Sequence, residues 1–270
     1  MRGVHDRLSV HAVSFPGATL DELDRYWQQL GVRRLSLIEH QLFDPALPPL
    51  IRLHDYTVEA VCHLFGAGRL PIDANSIACA RDDLDRVIET AAAVGARTVY
   101  MLTGGRGPLT WEQAAEQFCC IVEPGVRVAG QAGVALAIEN ASSLYADIHF
   151  AHTLQDTITL AEMAGLGVCV DLFHCWAEAD LAGLVRRALP RLQLIQLSDY
   201  VLGDRALPAR AVPGDGVIPI EPFIGQVLAA GYPNGFDLEL IGPRIDHEGP
   251  FEAARRGCTA VARLLNSAGG

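Results

Sequence analysis

The residues of this chain that could do chemistry stand at the ends of short apolar runs. His11 and Ser14 close the first run, Glu39 and His40 the second, and His63 the third. Glu139 and Asn140 close the fifth, Asp171 and His174 the sixth, Gln196 and Asp199 the seventh, and Glu239 the eighth. A carboxylate at the end of an apolar run is costly to bury unless it is paired or bound to a cation. If the runs form one barrel, Glu139, Asp171 and Glu239 converge on its axis. Like charges held that close stay ionised only beside a cation; without one their pKa values rise. A single divalent metal meets the requirement. Carboxylates with one amide oxygen form a hard donor set, which suits Mn²⁺, Mg²⁺ or Co²⁺ more than a structural Zn²⁺. Zn²⁺ is kept as the alternative ion.

Other polar residues have weaker claims. His174 follows Asp171 by three residues and reads as a ligand, a substrate donor or a structural histidine. His63 and His11 read equally as pocket-lining or structural, while Glu39 is assigned to the pocket. Asp199 is expected to orient a neighbour rather than touch substrate. His149 and His152 are assigned to a loop. The turn Gly104-Gly105-Arg106-Gly107 is expected to be a flexible lid or a simple turn, since one Gly-rich turn is a weak sign of an anion cradle.

The elements that position these residues alternate. Strand candidates cover 7–13, 33–39, 56–64, 96–103, 134–140, 167–174, 192–199 and 235–241. Most are nearly continuous apolar runs, as parallel strands buried on both faces require. Amphipathic helical patterns fill 18–30, 80–94, 111–131, 153–164, 178–188, 220–230 and 249–267. The gap 42–55 holds Pro45, Pro48 and Pro49, which predicts an abbreviated or irregular helix. Gly31, Gly95, Gly133 and Gly231 stand where left-handed helix caps are wanted. Eight strand-helix units in 270 residues match an α/β fold, a single (β/α)8 TIM barrel spanning 1–270 as one domain. A doubly wound sheet would show a Gly-rich phosphate turn after its first strand, and Ser14-Phe15-Pro16-Gly17 is not one. In such a barrel the chemistry sits at the C-terminal strand ends, where the polar residues gather.

Composition narrows the function. Half of the residues are hydrophobic and a fifth are charged, too apolar for a disordered chain. No window resembles a membrane span, and the opening residues carry no signal-peptide hydrophobic stretch. With 21 basic and 32 acidic residues the net charge is −11, which argues against general affinity for nucleic acid or anionic membrane. Seven cysteines without Cys-x-x-Cys spacing are read as buried free thiols of a reducing, cytoplasmic compartment. The expected partner is a small-molecule substrate. A homo-oligomer is compatible with the sequence, but no segment marks an interface.

The whole pattern resembles the xylose-isomerase-like TIM barrels, the sugar phosphate isomerase/epimerase group that includes hydroxypyruvate isomerase and the ketose 3-epimerases. The resemblance covers nearly the whole chain in architecture. It rests on Ala137-Ile138-Glu139-Asn140, Val170-Asp171-Leu172-Phe173-His174, Gln196-Leu197-Ser198-Asp199, Arg210-Ala211-Val212-Pro213-Gly214-Asp215-Gly216 and Asp237-Leu238-Glu239-Leu240. It implies one metal ion held by Glu139, Asp171, Gln196 and Glu239. The epimerases carry His where Gln196 stands, whereas hydroxypyruvate isomerase has Gln there. It also implies that His174 and Arg210 hold substrate oxygens, although the segment from Asp199 to Arg210 is longer than the family pattern leads one to expect. Endonuclease IV, the nucleic-acid branch, is similar to this chain only in fold, since it needs extra histidines and a basic face.

The chemistry implied is proton transfer next to a carbonyl. The metal polarises a hydroxy-ketone and stabilises an enediolate, while Glu139 and Glu239 remove and return the carbon-bound proton. The same site could expel water and act as a dehydratase or lyase. A barrel that only binds its ligand is the alternative from another class. Phe15, Phe65, Phe173, Cys175 and Trp176 lie near the strand ends, where they either pack under the loops or form an apolar rim that suits a sugar-like or ring-containing substrate. Trp176, Glu39 and His63 are accordingly expected to line the substrate pocket.

Overall fold

A computed structural model describes residues 4–269. Eight parallel strands follow one another in a closed barrel, in the order β1 to β8. They are β1 (Leu8–His11), β2 (Arg34–Ile38), β3 (Thr57–Leu64), β4 (Thr98–Leu102), β5 (Ala135–Glu139), β6 (Gly167–Asp171), β7 (Leu192–Leu197) and β8 (Phe236–Leu238). The helices between them are α1 (Leu20–Leu30), α2 (Glu39–Leu42), α3 (Leu47–His54), α4 (Ala74–Ala93), α5 (Trp111–Ala132) and α6 (Leu154–Ala164). They continue as α7 (Leu172–Cys175), α8 (Leu181–Ala188), α9 (Ile220–Ala229), α10 (Pro243–Glu248) and α11 (Pro250–Ser267). The chain is therefore the expected (β/α)8 barrel. Among the described residues, no helix is long and apolar enough to cross a membrane.

Local chemistry sets the boundaries. The expected helix 80–94 begins earlier, at Ala74, because Asp73 accepts the N–H groups of Asn75 and Ser76 at 3.0 Å each. The expected strand 167–174 stops at Asp171, whose carboxylate accepts the Phe173 N–H at 2.9 Å and starts α7. The proline-rich gap forms α2 and then α3, with proline in the first turn of α3, where its missing N–H costs nothing.

The chain packs as two compact units. One comprises Ala60–Gln193; the other comprises the described residues through Glu59 and from Leu194 onward. In the first unit Phe65, Phe118 and Phe150 form an edge-to-face stack at 5.3 and 6.0 Å under the loops. In the second, Phe15 is buried and stacks on Tyr26 at 4.9 Å. Phe15 and Phe65 thus belong to the core and not to a pocket rim. Their apolar bodies are satisfied by aromatic neighbours.

The second unit also has a polar interior. Ser9 of β1 pairs in register with Asp237 of β8 and with Arg34 of β2. Its hydroxyl donates to Asp237 Oδ1 at 2.6 Å and accepts from Ser36 at 3.3 Å. Arg34 pairs with the buried Glu59 at 2.8 Å. The β1–β8 seam is reinforced by Arg7, which donates to the Tyr232 and Asn234 carbonyls and lies over the Tyr232 and Phe236 rings.

All seven cysteines are free. Cys169, Cys175 and Cys258 are buried as expected, whereas Cys79 and Cys120 lie on exposed helix faces.

Candidate active site

In the unit Ala60–Gln193, β5 and β6 deliver Glu139 and Asp171. Their register pairs Glu139 with Cys169, and Asp171 lies two residues beyond Cys169. Paired residues in a parallel sheet share a face, as do residues two apart, so both carboxylates face the same way. Asn140 fixes Asp171 further. Its side-chain nitrogen donates to the Asp171 carbonyl at 3.0 Å, and its oxygen accepts the Asp171 N–H at 2.9 Å. This asparagine was visible as part of a motif, but its task was not. His174, one turn into α7, brings Nε2 to 3.6 Å from Asp171 Oδ2. Tyr145 and Phe173 flank its ring, at 5.9 and 5.1 Å and nearly perpendicular to it. Glu139, Asp171 and His174 each offer a ligand atom, all within 4.8 Å of one another. Two buried carboxylates this close repel unless a cation joins them, so the set fits a divalent ion. Cys175 Sγ donates to the Asp171 carbonyl at 3.3 Å, and burial pushes its thiol well up; it supports the turn as a neutral thiol.

His63 does not join this group. It pairs with Met101, and Met101 pairs with Ile138. It therefore faces opposite to Glu139 and rests edge-on against Phe65 at 6.3 Å. One residue of alternation reverses a side chain's face, so His63 is not a member of the Glu139 group. Trp176 follows α7 and is half-buried.

In the other unit, Gln196 pairs in register with Asp237, and Glu239 follows two residues later on the same face. Gln196 donates its amide N–H to Glu239 Oε2 at 2.5 Å, and Arg210 Nη2 lies 2.8 Å from Glu239 Oε1. Arg210 Nη1 donates to Ser198 Oγ at 3.0 Å. The main chain beyond Glu239 is held by Ser14, whose hydroxyl accepts the Leu240 N–H at 2.9 Å. His11 Nδ1 accepts the Val13 N–H at 3.0 Å, and His11, Asp237 and Glu239 form a second group within 4.8 Å. Asp237 is fully buried, and Oδ2 has no hydrogen-bond partner among the described residues. Desolvation pushes its carboxyl up to about 8, against the opposing hydrogen bonds from Ser9 and Ser36. Glu39 opens α2 and is half-buried.

Two loops carry detail beyond their expected reading. Of the two readings of Gly104–Gly107, a flexible lid or a simple turn, the pinned contacts fit the turn. Gly105 exchanges main-chain bonds with Gly68 and Leu70 at 3.0 Å each, and a Cβ on Gly104 would lie 2.6 Å from Arg69 and Leu70 backbone atoms. His149, assigned to an ordinary loop, is fully buried. Its Nδ1 accepts the Thr103 N–H at 3.0 Å, and its Nε2 donates to the Ala151 carbonyl at 2.8 Å. Burial is the main cause that lowers its pKa to about 3.

The model of the xylose isomerase-like TIM barrel family matches residues 50–262. No curated protein matches the sequence. Among solved structures, protein SMc04130 from Sinorhizobium meliloti 1021 is similar with a TM-score of 0.86 at 23% identity, over 96% of this chain and 98% of that one. The IolI protein, solved with a zinc atom, gives 0.81 at 15% identity over 97% and 98%. L-ribulose 3-epimerase gives 0.79 at 17% identity over 98% and 96%. At these identities the likeness is one of fold.

Proposed function

The chain belongs to the xylose isomerase-like TIM barrel family, and from that premise we propose that it is a metal-dependent isomerase or epimerase of a hydroxy-carbonyl compound. The observation that carries this reading is the buried grouping of Glu139, Asp171 and His174, with Asp171 locked by Asn140. The proposed ligands of one divalent ion, Mn²⁺, Mg²⁺ or Co²⁺ with Zn²⁺ as the alternative, are Glu139, Asp171, Gln196 and Glu239. When bound, such an ion polarises a substrate carbonyl and stabilises the negative charge of an enediolate. The zinc atom in the IolI structure supports a metal site in this fold.

The chain's own residues take the remaining roles. Glu139 and Glu239 remove and return the proton on the carbon beside the carbonyl. Arg210 and His174 hold substrate oxygens and decide which becomes anionic. Tyr145 and Phe173 around His174 suit a substrate with a ring or an apolar face, with Trp176 and Glu39 as further lining residues.

The test is carbon-proton exchange. Protein loaded with Mn²⁺ is incubated in D₂O with a panel of hydroxy-ketones, and products are read by mass spectrometry and NMR. An isomer of equal mass with deuterium beside the carbonyl is expected. Either Glu→Gln change, at Glu139 or Glu239, should lower the rate by about 10²–10⁴ while the melting temperature changes little. A product lighter by one water would replace isomerase by dehydratase. Absence of metal uptake together with absence of exchange would overturn the proposal.

A further inference from the structure

The connection from β7 to α9 carries Arg210 yet forms no helix or strand of its own. Asp199 sits at its root. Oδ1 accepts the N–H groups of Tyr200 at 2.8 Å and Ile218 at 2.9 Å. Oδ2 accepts those of Gly214 and Gly216, both at 2.9 Å. The Asp199 main chain also pairs antiparallel with Ala211, through two bonds of 2.8 Å. One residue thus ties together the first residue of the strap, its end, and the position next to Arg210.

The strap is packed unevenly: residues 209–213 are buried, whereas 201–208 are exposed or half-buried. A cavity of about 660 Å³ lies beside it, lined by Val201, Ala209, Val212 and Ile245 among others. Across the rim, the strap's Asp204 pairs with Arg244 of α10 at 2.5 Å, an exposed contact of small worth. Glycine is required at 216, because a Cβ there would collide with the Asp199 carboxylate and the Tyr200 carbonyl. A carboxylate that accepts four N–H groups has spent its lone pairs on the backbone. Asp199 therefore acts on substrate only through what it holds.

We propose that Asp199 is a positioning residue that fixes the 199–218 strap so that the Arg210 guanidinium stays on Glu239. It thereby sets both the placement of the cation that receives a substrate oxygen and the charge with which Glu239 meets a metal ion. The second half rests on the reading of Glu239 as a ligand. The first half rests on the geometry alone.

The test uses the full chain as wild type, Asp199→Asn, Arg210→Ala and the double variant. Asparagine keeps the size but turns one acceptor oxygen into a donor aimed at backbone N–H groups. Arginines are labelled with phenylglyoxal and read by peptide mass spectrometry. In Asp199→Asn, Arg210 should label about tenfold faster, as local release of a buried segment allows, while the exposed Arg25 labels at an unchanged rate. Mn²⁺ affinity is then measured by calorimetry. Removing the guanidinium takes a competing positive charge off Glu239 and should tighten binding by about tenfold. Asp199→Asn should tighten it in the same direction, and the double variant should match Arg210→Ala alone. Unchanged protection of Arg210 in Asp199→Asn would overturn the proposal, as would additive effects of the two changes on Mn²⁺ affinity. Should no variant bind Mn²⁺, the metal reading of Glu239 falls, and the labelling still decides whether Asp199 positions Arg210.

Discussion

Acid should weaken this protein through His149. Its two nitrogens are already committed: Nδ1 accepts from Thr103 and Nε2 donates to Ala151. Protonation would turn Nδ1 from acceptor to donor against an N–H group, in a fully buried site. The folded-state pKa is lowered from 6.5 to about 3, with desolvation as the first cause. Between those values the unfolded chain binds one proton that the folded chain refuses, so stability falls as the pH falls. The slope approaches about 1.4 kcal/mol per pH unit, and between pH 7.5 and pH 5 the loss is about 2 kcal/mol. The assay is urea unfolding of wild type and His149→Gln at pH 7.5, 6.5, 5.5 and 5. At neutral pH the variant should be less stable by about 1–3 kcal/mol, because the Thr103 N–H or the Ala151 carbonyl loses its partner. The gap should then shrink by about 2 kcal/mol on reaching pH 5, since glutamine does not titrate and the shared carboxylates cancel. A gap that stays constant with pH would refute the argument that His149 is held neutral by its contacts.

Asp237 should act with the opposite sign. Its raised folded-state pKa makes stability fall as the pH rises from about 4 towards 8, so in chelator-treated protein Asp237→Asn should gain in relative melting temperature across that window. Asn140→Ala should lower metal affinity about 10- to 100-fold by freeing the Asp171 backbone, measured by calorimetric titration with Mn²⁺. Gly104→Ala should cost clearly more than Gly17→Ala. Both glycines have positive φ, at 80° and 75°, but only the first has backbone within reach of a Cβ. The shared left-handed term is about 1–2 kcal/mol, and thermal melts of the two variants give the excess.

The barrel was legible because parallel strands buried on both faces leave continuous apolar runs, and because polar residues collect at their ends. What stayed hidden has physical causes. The start of α4 leaves no periodic signal because Ala74, Asn75 and Ser76 are held by a cap and not by an apolar stripe. The face of His63 depends on a register that only the pairing of β3, β4 and β5 reveals. His149 lies in a stretch without periodicity, and its key partner Thr103 is 46 residues away. Asp199 was readable as an orienting residue, but its four N–H partners span a loop that no short motif encodes. The grouping of Glu139 and Asp171 was anticipated from strand order; the role of Asn140 in fixing it was not.

The seam between β1 and β8 has a consequence for how the chain is made. Ser9 must meet Asp237 across 228 residues of chain, and Arg7 must meet Asn234 across 227. At roughly 5–20 residues per second, the first strand leaves the ribosome about 10–45 s before its last neighbour exists. During that interval β1 offers an unpaired edge to any other nascent strand. The stretch Ala60–Gln193 is contiguous in sequence, so all of it has been made before β8. Expression yield should therefore respond to translation speed over the stretch between β1 and β8, because only the last strand closes the ring.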